Sequence, residues 1–207
     1  MRLPLALLIS GVLLATTPAN AADNGFYLGA GVGEMNTNVK DVFGSGYKFD
    51  ENDVGFKLFG GYKFFPWLSV EGAYIDGGSP EIKESDGAGT TAKLGIELQS
   101  FVAAAVFTLP IGEQFELFIK PGFAYWEANT SVSLTSPSFS DSFDERDNGS
   151  AFFLGGGAGF NFTENLGVRL EYEWFDVAPE YDSYSDEFVT DYDASAGFFS
   201  ASFVYFF

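Results

Sequence analysis

The stretch LGVRLEYEW, residues 166–174, alternates between two kinds of side chain. The odd-numbered positions hold a glycine and the charged residues Arg169, Glu171 and Glu173. The even-numbered positions are all apolar or aromatic. Successive side chains of a β-strand point to opposite faces, so this strand has one apolar and one charged face. A soluble sheet buries the apolar face, whereas a transmembrane barrel turns it to lipid and keeps the polar face inside.

Seven other segments repeat this alternation over roughly ten residues each, the length of membrane-crossing barrel strands. In the last one, Phe199, Ala201, Phe203, Tyr205 and Phe207 share a face. The fourth is less regular because three alanines at 103–105 interrupt the pattern, and a β-bulge there is one interpretation. The eight segments fall at about 26–34, 54–63, 68–74, 94–109, 115–125, 152–161, 166–174 and 199–207.

The connections between these segments alternate in length. Short ones lie at 64–67, 110–114 and 163–165, and long ones at 36–53, 77–92, 129–149 and 176–193. Short turns at one end and long loops at the other are typical of outer-membrane barrels, and an even strand number leaves no unpaired edge in lipid. We therefore predict an all-β fold, an eight-stranded antiparallel up-and-down transmembrane β-barrel.

The first 21 residues have the pattern of a secretory signal peptide. A basic start at Arg2 precedes an apolar run over 3–15 and the small residues Ala19-Asn20-Ala21. An uncleaved membrane anchor is the alternative, but a spanning helix needs about 20 apolar residues. We expect 1–21 to direct export and 22–207 to form one barrel domain in the bacterial outer membrane.

Several motifs carry a family resemblance: YLGAGVG at 27–33, GGYK at 60–63 with Pro66-Trp67, VEGAY at 70–74, GVRLEY at 167–172 and the terminal Phe207. They resemble the small outer-membrane β-barrel proteins, including the OmpA-type transmembrane domain. The resemblance implies that Phe207 is a signal read by the barrel-assembly machinery. Because the pattern ends with the eighth strand, we expect no periplasmic peptidoglycan-binding domain.

Aromatic residues cluster at both ends of the predicted strands. We expect them to lie at the two membrane–water interfaces, which tyrosine and tryptophan favour. They are Phe64, Trp67, Tyr205 and Phe207 near the short turns, and Tyr74, Tyr125, Trp126 and Trp174 near the long loops.

Charged residues also fall on the predicted interior face. An eight-stranded barrel is barely wide enough for its own side chains, and buried charges must be paired. One interpretation is a salt-bridge core that plugs the lumen, and the other is a narrow pore gated by rearranging those pairs. The interior cluster is Lys57, Glu71, Lys120, Arg169, Glu171 and Glu173, with Lys63, Glu97 and Glu116 nearer the ends.

The chain contains no histidine and no cysteine. It therefore lacks the general base of familiar hydrolases and the usual ligands of zinc. Glu171 and Glu173 share a face, but the nearby basic residues favour a structural role over acid–base catalysis. We expect no enzyme activity, cofactor or metal site, and the net charge of −19 disfavours nucleic acid as a partner.

The four long loops hold 18 acidic and 4 basic residues. The last one, 176–193, includes Asp182, Asp186, Glu187 and Asp191 and has no basic residue. These charges form either a solvated surface that opposes aggregation or a recognition surface on a rigid scaffold. Divalent cations could also bridge them to lipopolysaccharide.

Together these features predict a non-enzymatic, monomeric outer-membrane protein, surrounded by membrane lipid and lipopolysaccharide. Its expected role is in envelope structure or in surface interaction through the acidic loops, with the extracellular ligand unidentified. Two alternatives remain: a small porin-like channel, and a soluble lipocalin-like carrier. The carrier requires apolar side chains inside the barrel and polar ones outside.

Overall fold

A computed structural model describes residues 24–39, 52–79, 81–85, 90–136, 138–176 and 194–207. The expected signal peptide at 1–21 lies outside these ranges. No helix among the described residues is long and apolar enough to span a membrane. The described chain forms nine strands: β1 (Gly25–Val39), β2 (Asn52–Phe65), β3 (Leu68–Asp76), β4 (Glu81–Ser85), β5 (Thr91–Ile111), β6 (Phe115–Ser136), β7 (Phe139–Asn161), β8 (Leu166–Asp176) and β9 (Ala194–Phe206).

Eight of these strands close into a ring. These eight strands pair antiparallel in the order β1, β2, β3, β5, β6, β7, β8 and β9, and β9 pairs with β1 to close the ring. Among the described residues strand β4 pairs only with β5, so it extends the sheet beyond the ring. The predicted eight-stranded up-and-down barrel is therefore confirmed, and its three short turns lie at one end.

The barrel wall has the polarity that the sequence predicted. In β8, Arg169, Glu171 and Glu173 are buried, whereas Leu170 and Tyr172 are each 54% exposed on the outside. This arrangement contradicts the soluble-carrier alternative, because an apolar outer wall must be covered by lipid.

The irregular segment at 94–109 contains no bulge against β3. The register between β3 and β5 runs unbroken from Leu68 opposite Phe107 to Asp76 opposite Gln99. Small alanines on both faces blur the alternation, which is why the sequence pattern was ambiguous. The observed register places Glu97 on the outer side, exposed, so its predicted interior position was wrong.

The predicted loop at 129–149 was also wrong, because these residues form a hairpin. Strands β6 and β7 stay paired from Phe115 opposite Phe160 up to Ser136 opposite Phe139. This part is rich in Ser, Thr and Asp, and residues 138–148 are exposed, so it lacks the apolar alternation by which a lipid-facing strand is recognised.

The aromatic belts are present with one correction. Trp67, Tyr205 and Phe207 are exposed at the short-turn end, and Tyr125 and Trp174 are exposed on the outer wall nearer the long loops. Trp126, however, is buried inside the barrel. Because Tyr125 and Trp126 are adjacent in one strand, only one of them can face lipid.

Candidate functional site: the charged interior

The structure brings all six residues of the predicted interior cluster together in the barrel lumen. Each is at most 5% exposed, and they come from four strands: Lys57 on β2, Glu71 on β3, Lys120 on β6, and Arg169, Glu171 and Glu173 on β8. Glu116 and Lys63, expected nearer the ends, are buried as well.

Two lysines and two glutamates form the centre of the cluster. Lys57 Nζ donates to Glu171 Oε2 (2.6 Å) and to Glu173 Oε1 (2.7 Å). Lys120 Nζ donates to Glu171 Oε1 (2.9 Å) and also pairs with Glu173. Each ammonium group therefore bridges the same two carboxylates, which balances charges that burial would otherwise make costly.

Arg169 extends this network toward the short-turn end. Its guanidinium donates to Glu71 Oε2 (3.1 Å) and Glu116 Oε1 (3.3 Å). The guanidinium also lies over the rings of Tyr27 and Phe118 at 5.1 and 4.9 Å, within the range of cation–π attraction. Ion pairing and ring contacts together hold the Arg169 side chain in one place.

The pair between Glu71 and Arg169 crosses the lumen. Strands β3 and β8 are four positions apart in the ring of eight, so they lie on opposite walls. Lys120 on β6, which is separated from β3 by β5 alone, also reaches Glu71, with 3.2 Å between Nζ and Oε1. The network therefore ties several walls of the barrel to one another.

Interior glycines on β7 make room for these long side chains. A Cβ added to Gly155 would lie 3.0 Å from Lys120 Cε and 3.2 Å from Glu173 Cγ. A Cβ on Gly159 would lie 2.7 Å from Cγ of Glu116. The glycines at every second position were therefore a sequence signal that large side chains from neighbouring strands fill the space.

A layer of buried apolar side chains covers the ion network on the long-loop side. Phe153, Phe175 and Phe198 are each fully buried, with Trp126 and Ile75 at the same end of the lumen. Phe175 and Phe198 were not predicted from the sequence to lie in this layer. Continuing the alternation of β8 two residues past Glu173 would have found Phe175.

Comparisons with known proteins agree with this geometry. The family model described as OmpA-like transmembrane domain matches residues 21–207. The chain belongs to this family. It is 28% identical to Outer membrane protein A of Shigella flexneri over 160 residues, which are 76% of this chain and 44% of that protein. Identity to the Klebsiella pneumoniae protein is 29% over 162 residues, 75% of this chain and 45% of that protein. This OmpA-like chain thus spans less than half the length of these relatives.

Two solved structures share the fold of this OmpA-like barrel. Neisserial surface protein A has a TM-score of 0.55 at 15% identity, covering 88% of this chain and 97% of that one. Ail of Yersinia pestis, in complex with the heparin analogue sucrose octasulfate, has a TM-score of 0.54 at 21% identity and covers 87% and 99%. Membership of this family, whose relatives are outer membrane proteins, places the protein in the bacterial outer membrane.

The carboxylates of this OmpA-like barrel could hold a cation by distance alone. Oxygens of Glu71, Glu171 and Glu173 lie within 4.8 Å of one another. Lys57 and Lys120 already donate to those oxygens, however. The arrangement is therefore better suited to internal ion pairs than to a metal ion.

The remaining predicted residues lie at the two ends of the barrel. Asp182, Asp186, Glu187 and Asp191 fall outside the described residues. Phe207 is exposed at the short-turn rim, where its backbone N–H donates to the carbonyl of Phe26 (3.0 Å) and its ring lies 5.0 Å from that of Tyr205.

Proposed function

We propose that this OmpA-like barrel is a non-enzymatic envelope protein with a plugged lumen and a surface-interaction role at its long-loop end. The observation that carries the proposal is the ion pair between Glu71 and Arg169, which joins opposite walls of the barrel. A conducting path would have to separate such pairs.

Opening that path is energetically unfavourable for a physical reason. Separating one partner from a buried ion pair leaves an uncompensated charge, which costs about 3–5 kcal/mol. Here Lys120 and Arg169 share Glu71, so moving one side chain disturbs the partners of the other. The apolar layer of Phe153, Phe175 and Phe198 adds a second barrier.

The surface role is supported by the charge of the long-loop end. Loop 176–193 has seven acidic and no basic residues. Such a surface attracts cationic partners and repels polyanions. The structure of Ail is a complex with a heparin analogue, which is a polyanion. Because loop 176–193 of this chain is acidic, we propose that this chain selects cationic partners instead, despite the shared fold.

Planar-bilayer recording tests the plugged lumen. The protein is first shown to be folded by its heat-dependent migration on SDS gels, with outer-membrane fractions as the source. We expect folded protein to give no discrete conductance steps above the empty bilayer. Reproducible steps from the folded band would overturn the plug.

A small channel is the second candidate, and one observation favours it. Five buried polar atoms have no hydrogen-bond partner among the described residues, including Ser200 Oγ, Ser202 Oγ and Glu173 Oε2. Polar atoms of this kind could line a narrow hydrated path. Conductance by the wild type that is abolished by the double substitution Ser200→Leu with Ser202→Leu would favour the channel over the plugged lumen.

The processing of the chain forms a separate part of the proposal. We propose cleavage after Ala21, a monomeric barrel in lipid and lipopolysaccharide, and assembly that depends on Phe207. Intact-mass measurement of the outer-membrane protein tests the cleavage. A mass that still includes residues 1–21 would refute it.

A further inference from the structure

A row of small residues crosses three neighbouring strands on the lipid-facing wall of the barrel. Gly60 on β2 lies directly opposite Gly72 on β3, and Gly72 lies opposite Ala103 on β5. The same row continues to Leu28 on β1 at one end and to Phe123 on β6 at the other. The wall is therefore low over three strands and rises on both sides of them.

This low part of the wall belongs to a groove with a volume of about 970 Å³. Such a volume lies at the upper end of the roughly 300–1,000 Å³ that small-molecule clefts have. The groove extends from β5 across β3, β2 and β1 to Phe207 at the end of the chain. Four strand spacings of about 4.8 Å make it about 19 Å long. Its shape therefore suits a long, thin apolar molecule.

The groove is closed on the long-loop side. In the next outward row toward the long loops, Leu58, Tyr74 and Phe101 lie side by side. The rings of Tyr74 and Phe101 are 5.1 Å apart, so they form a continuous shelf. In the other direction the groove continues past Val70 to Phe207 at the short-turn rim. Because the short turns of outer-membrane barrels face the periplasm, the groove opens to the periplasmic leaflet.

The position of the groove selects a lipid acyl chain as its occupant. The groove is continuous with the apolar outer wall, which hydrocarbon covers in an outer-membrane protein. Within lipid, association is driven by close packing, because each dispersion contact adds a small attraction. A chain in the groove touches its floor and its sides, whereas a chain on a flat part of the wall touches one surface only. A chain in the groove should therefore leave the protein more slowly.

We propose that this groove, with Gly60, Gly72 and Ala103 as its floor, retains one acyl chain of a phospholipid from the periplasmic leaflet. Lipopolysaccharide is not the source, because its acyl chains enter from the leaflet at the long-loop side, where the shelf of Leu58, Tyr74 and Phe101 closes the groove. The inference goes beyond the proposed surface role and does not depend on the plugged lumen.

Filling the groove with a side chain tests the proposal. Gly72→Leu places an isobutyl group on the floor, where an added Cβ meets no described atom closer than the Val102 carbonyl oxygen at 3.9 Å. Gly156→Leu is the matched control, because Gly156 also lies on the lipid-facing wall but sits between Ile119 and Tyr172, outside the groove. Its added Cβ meets no described atom closer than 3.4 Å, so we expect both variants to fold.

Native mass spectrometry counts the lipids that stay bound when the folded protein is released from nanodiscs of dioleoylphosphatidylcholine and lipid A. We expect the wild type and Gly156→Leu to retain one phosphatidylcholine, and Gly72→Leu to retain at least about fivefold less, because leucine takes the contacts of the acyl chain. Equal retention by Gly72→Leu and Gly156→Leu, or retention of lipid A in place of phosphatidylcholine, would overturn the proposal. A wild-type dimer that Gly72→Leu dissociates would also overturn it, since a second copy would then occupy the groove.

Both variants must keep the heat-dependent gel migration of the wild type. If Gly72→Leu does not, Ala103→Leu takes its place, because Ala103 is exposed in the same row of the groove. Conductance steps from the folded wild type would contradict the plugged lumen and leave the lipid inference standing. Unchanged lipid retention by a folded, non-conducting groove variant would overturn only the lipid inference.

Discussion

The buried ion network makes Lys120→Met an informative substitution. Lys120 Nζ contacts Glu71, Glu171 and Glu173, and all four groups are inaccessible to solvent. Methionine retains most of the side-chain volume but removes the charge, so three carboxylates lose a shared cation. Breaking a buried pair from one side costs about 3–5 kcal/mol, and we expect the free energy of unfolding to fall by that amount.

Urea unfolding in lipid vesicles, followed by tryptophan fluorescence, measures this loss. Lys93→Met is the matched control, because Lys93 lies exposed on β5 beyond the barrel ring and should change stability by less than about 0.5 kcal/mol. Combining Lys120→Met with Glu173→Leu should recover part of the loss, since an apolar pair replaces a broken ionic one. If Lys120→Met costs no more than Lys93→Met, the network does not hold the barrel together.

Three further predictions follow from the interior packing and the rim. Gly155→Val should displace the side chains of the ion network and lower stability by about 1–3 kcal/mol, whereas Gly156→Val on the lipid side should change the same urea transition less. In single-tryptophan variants, brominated lipids should quench Trp174, which faces outward, and leave Trp126 unquenched; equal quenching would contradict the inward position of Trp126. Phe207→Ala should reduce the heat-shifted band in outer-membrane fractions but change the stability of refolded protein by less than about 1 kcal/mol, because its ring is mostly exposed. A matching loss in refolded protein would instead assign Phe207 a structural role.

Most of the barrel could be predicted because lipid imposes a simple rule on each strand. A side chain at 170 or 172 must suit hydrocarbon, while 169 or 171 need not, so period-two alternation reveals both the strand and its orientation. The alternation gave no clear prediction in segments whose side chains are not divided between lipid and the barrel interior. Alanines at 103–105 suit either face, and the β6–β7 hairpin leaves the membrane, so neither region carries a clear alternation.

The candidate site, like the fold, could be predicted from the sequence only in part. Sequence alternation correctly placed Lys57, Glu71, Lys120 and the three charged residues of β8 inside, but Glu97 was misplaced because the register of β5 depends on its pairing with β3. The apolar layer around Phe198 could not be located from one strand, since its members come from β7, β8 and β9.

The sequence by itself therefore determined the barrel class, the orientation of most strands and the presence of opposite charges in the lumen, because each depends on side chains within one strand. Only the tertiary structure decided which charges meet. Glu71 and Arg169 are 98 residues apart and come within 3.1 Å because ring closure sets β3 opposite β8 and the strand registers bring the two residues to the same height.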